Sequence, residues 1–282
     1  MLADAFAAEA ARFLRQRSTL FWGFCVVPLG MLAWNLGLDT YVYLHSGGPI
    51  TAMSALARMN MGIDTGQQVA STLQRADTAF FKIFFAVGAA GLFGNEYRWE
   101  TWRLLTPRNS RINLLLAKFG VYALACTLSL VGLAFAALAG AAWNGVLNGL
   151  PLTFASGFLR PVLGMFVISW IALMVQGAFV AAVAVATRAT TGALLAGVVF
   201  AFAQGIFSAI LSPWESPLRY FALVPELPAE LLRGLVTGQD IAPGMAPSAD
   251  RLPLAIAVLA GWILLPFGAA LLRFQRQDLT RE

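Results

Sequence analysis

Six apolar runs, at residues 19–38, 77–94, 114–142, 161–186, 191–211 and 252–272, divide this sequence, and nearly all of its charge falls between them. Each run is close to or above the roughly 20 apolar residues that a helix needs to cross the hydrocarbon of a bilayer. In that medium the backbone must satisfy its own N–H and C=O groups, so an apolar run of this length folds as an α-helix. The expected fold is an all-α polytopic membrane protein with six transmembrane helices. Composition agrees: at 59% apolar and 12% charged, 282 residues carry too little polar surface to cover a water-soluble globule. No stretch reads as an independent soluble domain. One transmembrane domain therefore fills 1–282, with 1–18 as an interfacial helix, 19–272 as the six-span bundle and 273–282 as a tail.

In residues 2–17, Leu2, Phe6, Ala10 and Phe13 recur at helical spacing, while Asp4, Glu9, Arg12, Arg15 and Arg17 fall elsewhere. That is the pattern of an amphipathic helix lying at the membrane interface. Charge runs right through the stretch, so it does not read as a cleavable signal, and the first span is expected to stay in the mature protein. Six prolines (Pro213, Pro217, Pro225, Pro228, Pro243, Pro247) forbid one continuous helix across 212–251. Within that segment Leu227, Leu231, Leu232 and Leu235 predict a short amphipathic helix at 226–236. Small residues recur every four positions at Ala178, Ala182 and Ala186, and at Ala136 and Gly140, spacing that lets helix backbones approach in lipid.

A net charge of +5 would suit nucleic acid, but its distribution points to the membrane instead. With six spans both termini share a side, and that side holds Arg12, Arg15, Arg17, Arg98, Arg103, Arg108, Arg111, Lys118, Arg188, Arg273, Arg276 and Arg281. The other side holds only Arg58, Arg75, Arg160, Arg219, Arg233 and Arg251, over longer loops, with Lys82 near the start of the second span. Twelve against six places the termini in the cytoplasm.

Few residues offer chemistry. A phosphate-binding loop needs Gly-Lys-Ser/Thr, and the two lysines stand in Phe81-Lys82-Ile83 and Ala117-Lys118-Phe119. The one histidine, His45, falls in a loop, and Cys25 and Cys126 lie inside apolar runs. No span carries a pair of carboxylates. Lys82 is the charge set deepest within a run; it either snorkels to the near interface or lines a polar pathway.

The segment 95–113 (NEYRWETWRLLTPRNSRIN) is the most charged in the chain. Glu96 and Glu100 share a helix face, while Trp99, Trp102 and Arg103 fall at the spacing of one further turn. Pro107 stops that helix and Ser110 is placed to cap the next. The run from Gly94 to Arg111, followed by Leu114-Leu115-Leu116-Ala117-Lys118, resembles the cytoplasmic loop of type-2 ATP-binding-cassette (ABC) permeases. That loop has a Glu leaving the second span, a Thr before a run of leucines, a Pro with a nearby Ser-Arg, and a Lys opening the third span. Glu100 departs from the family, where glycine often precedes the threonine. Outside the loop the similarity is architectural: the N-terminal helix, six spans, the tight turn at Arg188, and Pro225-Glu226-Leu227-Pro228 before the last span.

The resemblance implies the permease subunit of an exporter in the bacterial cytoplasmic (inner) membrane, moving a hydrophobic or amphipathic substrate outward. It implies a second permease, identical or homologous, and two copies of an ATPase subunit that hold the ATP and Mg. It also makes 95–113 a coupling helix, with Glu96, Arg98, Glu100, Thr101, Arg103, Pro107, Ser110 and Arg111 as coupling residues. The competing readings are a membrane scaffold or assembly factor without a transport cycle, and a secondary carrier or channel, for which Lys82 is the candidate pathway residue. The charge asymmetry gives a direct test of topology. In a background lacking Cys25 and Cys126, single cysteines within 39–76, 143–160 and 212–251 are expected to react with an impermeant thiol reagent from outside. A cysteine at position 105 should not, and external labelling there would reverse the assignment.

Overall fold

The computed structural model describes residues 2–45, 63–98, 102, 110–211, 222–238 and 247–277. Six of its helices are long and apolar enough to cross a membrane: Arg17–His45, Ala79–Arg98, Arg111–Asn148, Leu159–Thr187, Thr190–Ile210 and Ala249–Arg276. The chain is an all-α polytopic membrane protein. An amphipathic helix, Leu2–Arg15, precedes the first span and buries Ala5, Glu9 and Phe13. Two shorter helices, Thr65–Arg75 and Glu226–Thr237, cap the end of the bundle opposite the termini.

Local sequence sets the span boundaries. Ser110 has an extended backbone and its Oγ accepts the Asn113 N–H at 3.2 Å, so the third span starts where a capping residue was expected. That span ends at Gly149, whose φ of 64° is the left-handed conformation glycine adopts freely. Arg188 takes the same conformation at φ 54° to turn the fourth span into the fifth.

The spans run past the apolar stretches at several ends. The first span continues to His45, so part of the 39–76 segment expected as loop is helical, and Thr65–Arg75 forms a second helix within it. The third span likewise extends to Asn148 through what reads as a connecting loop. Two-residue strands, Ile63–Asp64 and Leu152–Thr153, pair in parallel and tie these two connections together.

The helix Thr65–Arg75 dips into the bundle between the third and fourth spans. It starts with Gly66 against Phe158 and ends where Ser169 Oγ donates to the Leu73 carbonyl at 2.9 Å. Ser169 lies ten residues into the fourth span, about 15 Å along its axis. The second span therefore starts well below the tip of the fourth. The helix Glu226–Thr237 buries Leu227 and Leu231, with Leu232 and Leu235 packed beside them, over the fourth, fifth and sixth spans. This is the amphipathic helix that the leucine spacing predicts.

The second and fourth spans form the centre, while the first, fifth and sixth expose more of their length to lipid. Lipid tails are as apolar as leucine, so close packing rather than water exclusion holds such helices together. The buried stripe of the fourth span runs through Ala178, Ala181 and Ala184, whereas Ala182 is half-buried and Ala186 exposed. The expected four-residue stripe is thus correct at Ala178 and rotates away beyond it. Ala136 and Gly140 are both buried, the latter against Asn35.

The first span contains a π-turn at Phe21–Cys25 and Pro28 one turn later. Pro28 has no N–H to give the Phe24 carbonyl four residues back. Ser129 of the third span supplies that donor, Oγ to O at 2.8 Å.

Gly177 marks the tightest approach to a glycine among the described residues. A Cβ there would lie 2.2 Å from Tyr122 Cε1, and Tyr122 is itself fixed by its hydroxyl donating to the Leu173 carbonyl at 3.0 Å. Gly177→Val is expected to destabilise the detergent-solubilised protein by about 1–3 kcal/mol, the usual consequence of overpacking. A thermal melt followed by tryptophan fluorescence checks this, with Gly261→Ala, which meets nothing within 4 Å, as the neutral control.

Candidate functional site

Each end of the bundle is closed by a buried lysine held between two carboxylates from distant parts of the chain. At the termini end, Lys118 Nζ is 2.9 Å from Glu96 Oε1 and also bonds Glu9 Oε1. Lys118 is 1% exposed, Glu9 and Glu96 are buried, and Arg12 adds a contact to Glu9 Oε2 at 3.2 Å. Removing one member of such a cluster leaves an uncompensated buried charge, typically worth roughly 3–5 kcal/mol.

The ring of Trp102 lies 5.4 Å from Lys118 Nζ and 4.5 Å, centroid to centroid, from Phe274. Trp102 is buried although it belongs to the connection between the second and third spans. Arg111 Nη1 donates to the carbonyls of Phe274 (2.9 Å), Gln275 (3.1 Å) and Gln277 (2.6 Å), the bare acceptors at the end of the sixth span. Gln277 in turn donates to the Val185 carbonyl at 2.6 Å and accepts from Tyr97 Oη at 3.0 Å. The N-terminal helix and the second, third, fourth and sixth spans are thereby joined around one connection.

Of the residues expected there, Ser110 caps the third span and Arg111 ties it to the sixth. Glu96 points inward to Lys118, while Arg98 closes the second span with an exposed side chain. Glu100, Thr101, Arg103 and Pro107 lie outside the described residues.

At the opposite end, Lys82 Nζ sits 2.6 Å from Asp77 Oδ1 and 2.8 Å from Glu226 Oε2. Arg233 pairs with the other oxygens of both carboxylates, in ionic contact with Asp77 Oδ2 and donating from Nη1 to Glu226 Oε1 at 2.8 Å. Two cations and two anions close a ring between the start of the second span and the helix Glu226–Thr237. Lys82 is 2% exposed, and its counter-ions are brought to it. Beside the ring lies a cavity of about 310 Å³, lined by Asp77, Thr78, Lys82, Ser208, Glu226 and Glu230 and floored by Ala79, Ala201, Gly205 and Ala209. Glu230 accepts from Ser208 Oγ at 2.5 Å. Burial raises its carboxyl above the usual range, the Ser208 hydrogen bond opposing and Glu226 adding to the shift. Burial also pushes the Arg233 guanidinium down to about 10, which leaves it charged at neutral pH.

The family described as "Protein of unknown function (DUF2705)" matches residues 51–280. The chain belongs to this family. No curated protein and no solved structure matches it. The matched region begins after the first span, so it contains the Lys82 ring and the Lys118–Glu96 pair but not Glu9.

Reading along the sequence finds no carboxylate pair within a span, yet folding creates two, Glu9 with Glu96 and Asp77 with Glu226. Their members lie up to 144 residues from the lysine they share, and no local spacing announces the partnership. The only cue is that both lysines stand inside apolar runs, where each requires an anion.

Glu230 gives the ring a pH dependence. The folded protein holds the Glu230 proton more tightly than the unfolded chain, so its contribution is full below the ordinary value of 4.5 and is lost as pH rises through the raised folded value. Ionised, it adds a third anion beside two cations. Amide-exchange protection of Glu226–Thr237, corrected for intrinsic rates, is expected to fall as pH rises across that window. The Glu230→Gln variant should hold it flat.

Proposed function

We propose that this chain is the permease subunit of an ATP-driven exporter of the ABC type, moving a hydrophobic or amphipathic substrate across the bacterial cytoplasmic membrane. In this reading both termini are cytoplasmic, as the basic asymmetry argues, and a second permease completes the pathway. Two ATPase subunits dock at the termini end and hold the ATP and Mg. One observation carries the proposal: Trp102, in the connection that resembles an ABC coupling loop, is buried between Lys118 and Phe274. A docking segment can drive transport only if force on it reaches the spans. Here a push on the connection would reach the third and sixth spans through Trp102, and the N-terminal helix through Lys118 and Glu9.

A second reading, an ion-coupled carrier, draws on the polar cavity at the other end. Carriers use buried titratable groups near their pathways, and Asp77, Lys82, Glu226 and Glu230 line this one.

Purification from membranes in mild detergent separates the two. The exporter reading expects an ABC ATPase to co-purify and its activity to respond to the permease. Glu100→Arg should then cut the stimulated activity at least tenfold or release the ATPase, since losing a partner for an interfacial charge costs about 2–5 kcal/mol. Glu96 is unsuitable for this test, because its reversal would place a second cation against Lys118 inside the fold. A chain that purifies alone, and that in proteoliposomes moves substrate on a proton gradient without nucleotide, would replace the exporter with the carrier.

A further inference from the structure

An apolar cavity of about 810 Å³ forms a groove between the N-terminal helix, the first span and the third span. Its floor is fixed by the features that distort the first span. Phe24, in the π-turn, and Pro28 face Ser129 and Gly132, with Ser129 holding the Phe24 carbonyl. A Cβ on Gly132 would come within 3.1 Å of Pro28, so the two spans are in contact along the groove.

The dimensions suit an extended hydrocarbon chain. The groove follows the first span from Leu20 to Leu32, about 18 Å, and the third from Val121 to Ala139, about 27 Å, at the helical rise of 1.5 Å per residue. At its termini end the wall is the N-terminal helix, through Ala10, Phe13 and Leu14. Arg15 and Arg17 fall in the chain between Leu14 and Leu20, both of which line the groove at this end. Both arginines are exposed. Arg12 is engaged with Glu9, but neither Arg15 nor Arg17 meets a carboxylate among the described residues. An apolar slot of acyl-chain length with two uncompensated guanidinium groups at the interfacial end is complementary to one kind of molecule abundant in its surroundings. Guanidinium groups bind phosphate oxygens through paired N–H donors.

We propose that this groove is a specific site for an anionic phospholipid, with one acyl chain lying between the first and third spans and its phosphate held by Arg15 and Arg17. The site is independent of the transport reading. A phospholipid there would fill the space between the N-terminal helix and the spans, and so fix the position of the helix that carries Glu9.

Native mass spectrometry of the detergent-purified full chain, with phosphatidylglycerol or phosphatidylcholine of the same acyl composition added, tests this. Wild-type protein is expected to retain one phosphatidylglycerol at activation energies that strip phosphatidylcholine, with at least a tenfold preference. The double variant Arg15→Gln/Arg17→Gln should lose that preference while keeping its melting temperature, because both side chains are exposed. Ala139→Trp, an exposed position at the far end of the groove, should lower retention of the lipid with the arginines intact. Equal retention of the two lipids by wild type would overturn the proposal, as would unchanged preference in the double variant. A dimer that Ala139→Trp dissociates without altering lipid retention would assign the groove to a second copy instead.

Discussion

A lysine ammonium in an apolar bundle must find an anion or pull its helix toward water, and in this fold that requirement operates at both ends. Lys118 draws the N-terminal helix and the end of the second span together. Lys82 draws the Glu226–Thr237 helix down onto the start of the same span. Buried ion pairs contribute little net stability compared with apolar residues of the same shape, since desolvation offsets most of the attraction. Their effect is on arrangement: among the many ways to pack six apolar rods, few satisfy both lysines. The second span takes part in both clusters, which is why it occupies the centre despite the lowest hydropathy of the six.

Between those two ends the packing is set by shape. Gly177 makes room for Tyr122, and Gly23 packs against Gly88 so closely that an added Cβ would lie 2.5 Å from the Gly88 Cα. These contacts let helices approach without choosing a register. The register comes from directional bonds such as Ser169 to the Leu73 carbonyl, Ser129 to the Phe24 carbonyl, and Gln176 Nε2 to the Gly197 carbonyl at 2.8 Å.

The parts of this architecture that were legible in the sequence are those with a local cause. Length and hydropathy find each span, Ser110 announces a helix start, and four leucines announce the helix at 226–236. The dipping helix Thr65–Arg75 escaped because its polar residues mask a buried face of Val69, Ala70 and Leu73, which only the third and fourth spans complete. Glu96 reads as an outward docking charge from its place at the edge of a polar loop, and turns inward because Lys118 waits across the helix pair. The roles of Asp77, Glu226 and Arg233 were hidden for the same reason: each acquires a partner through contacts that sequence spacing does not encode.

The separation of Lys82 from Glu226 also bears on how the chain is made. Ribosomes add about 5–20 residues per second, so the 144 residues between the two take roughly 7–29 s to appear. During that interval the second span must enter the membrane with an ammonium group aboard and neither Glu226 nor Arg233 yet synthesised. Asp77, five residues earlier and 2.6 Å away in the finished fold, is the one member of the ring that leaves the ribosome before Lys82. It can neutralise the nascent span at the translocon and later share its second oxygen with Arg233. The same carboxylate would then act first as an escort for insertion and afterwards as a bolt.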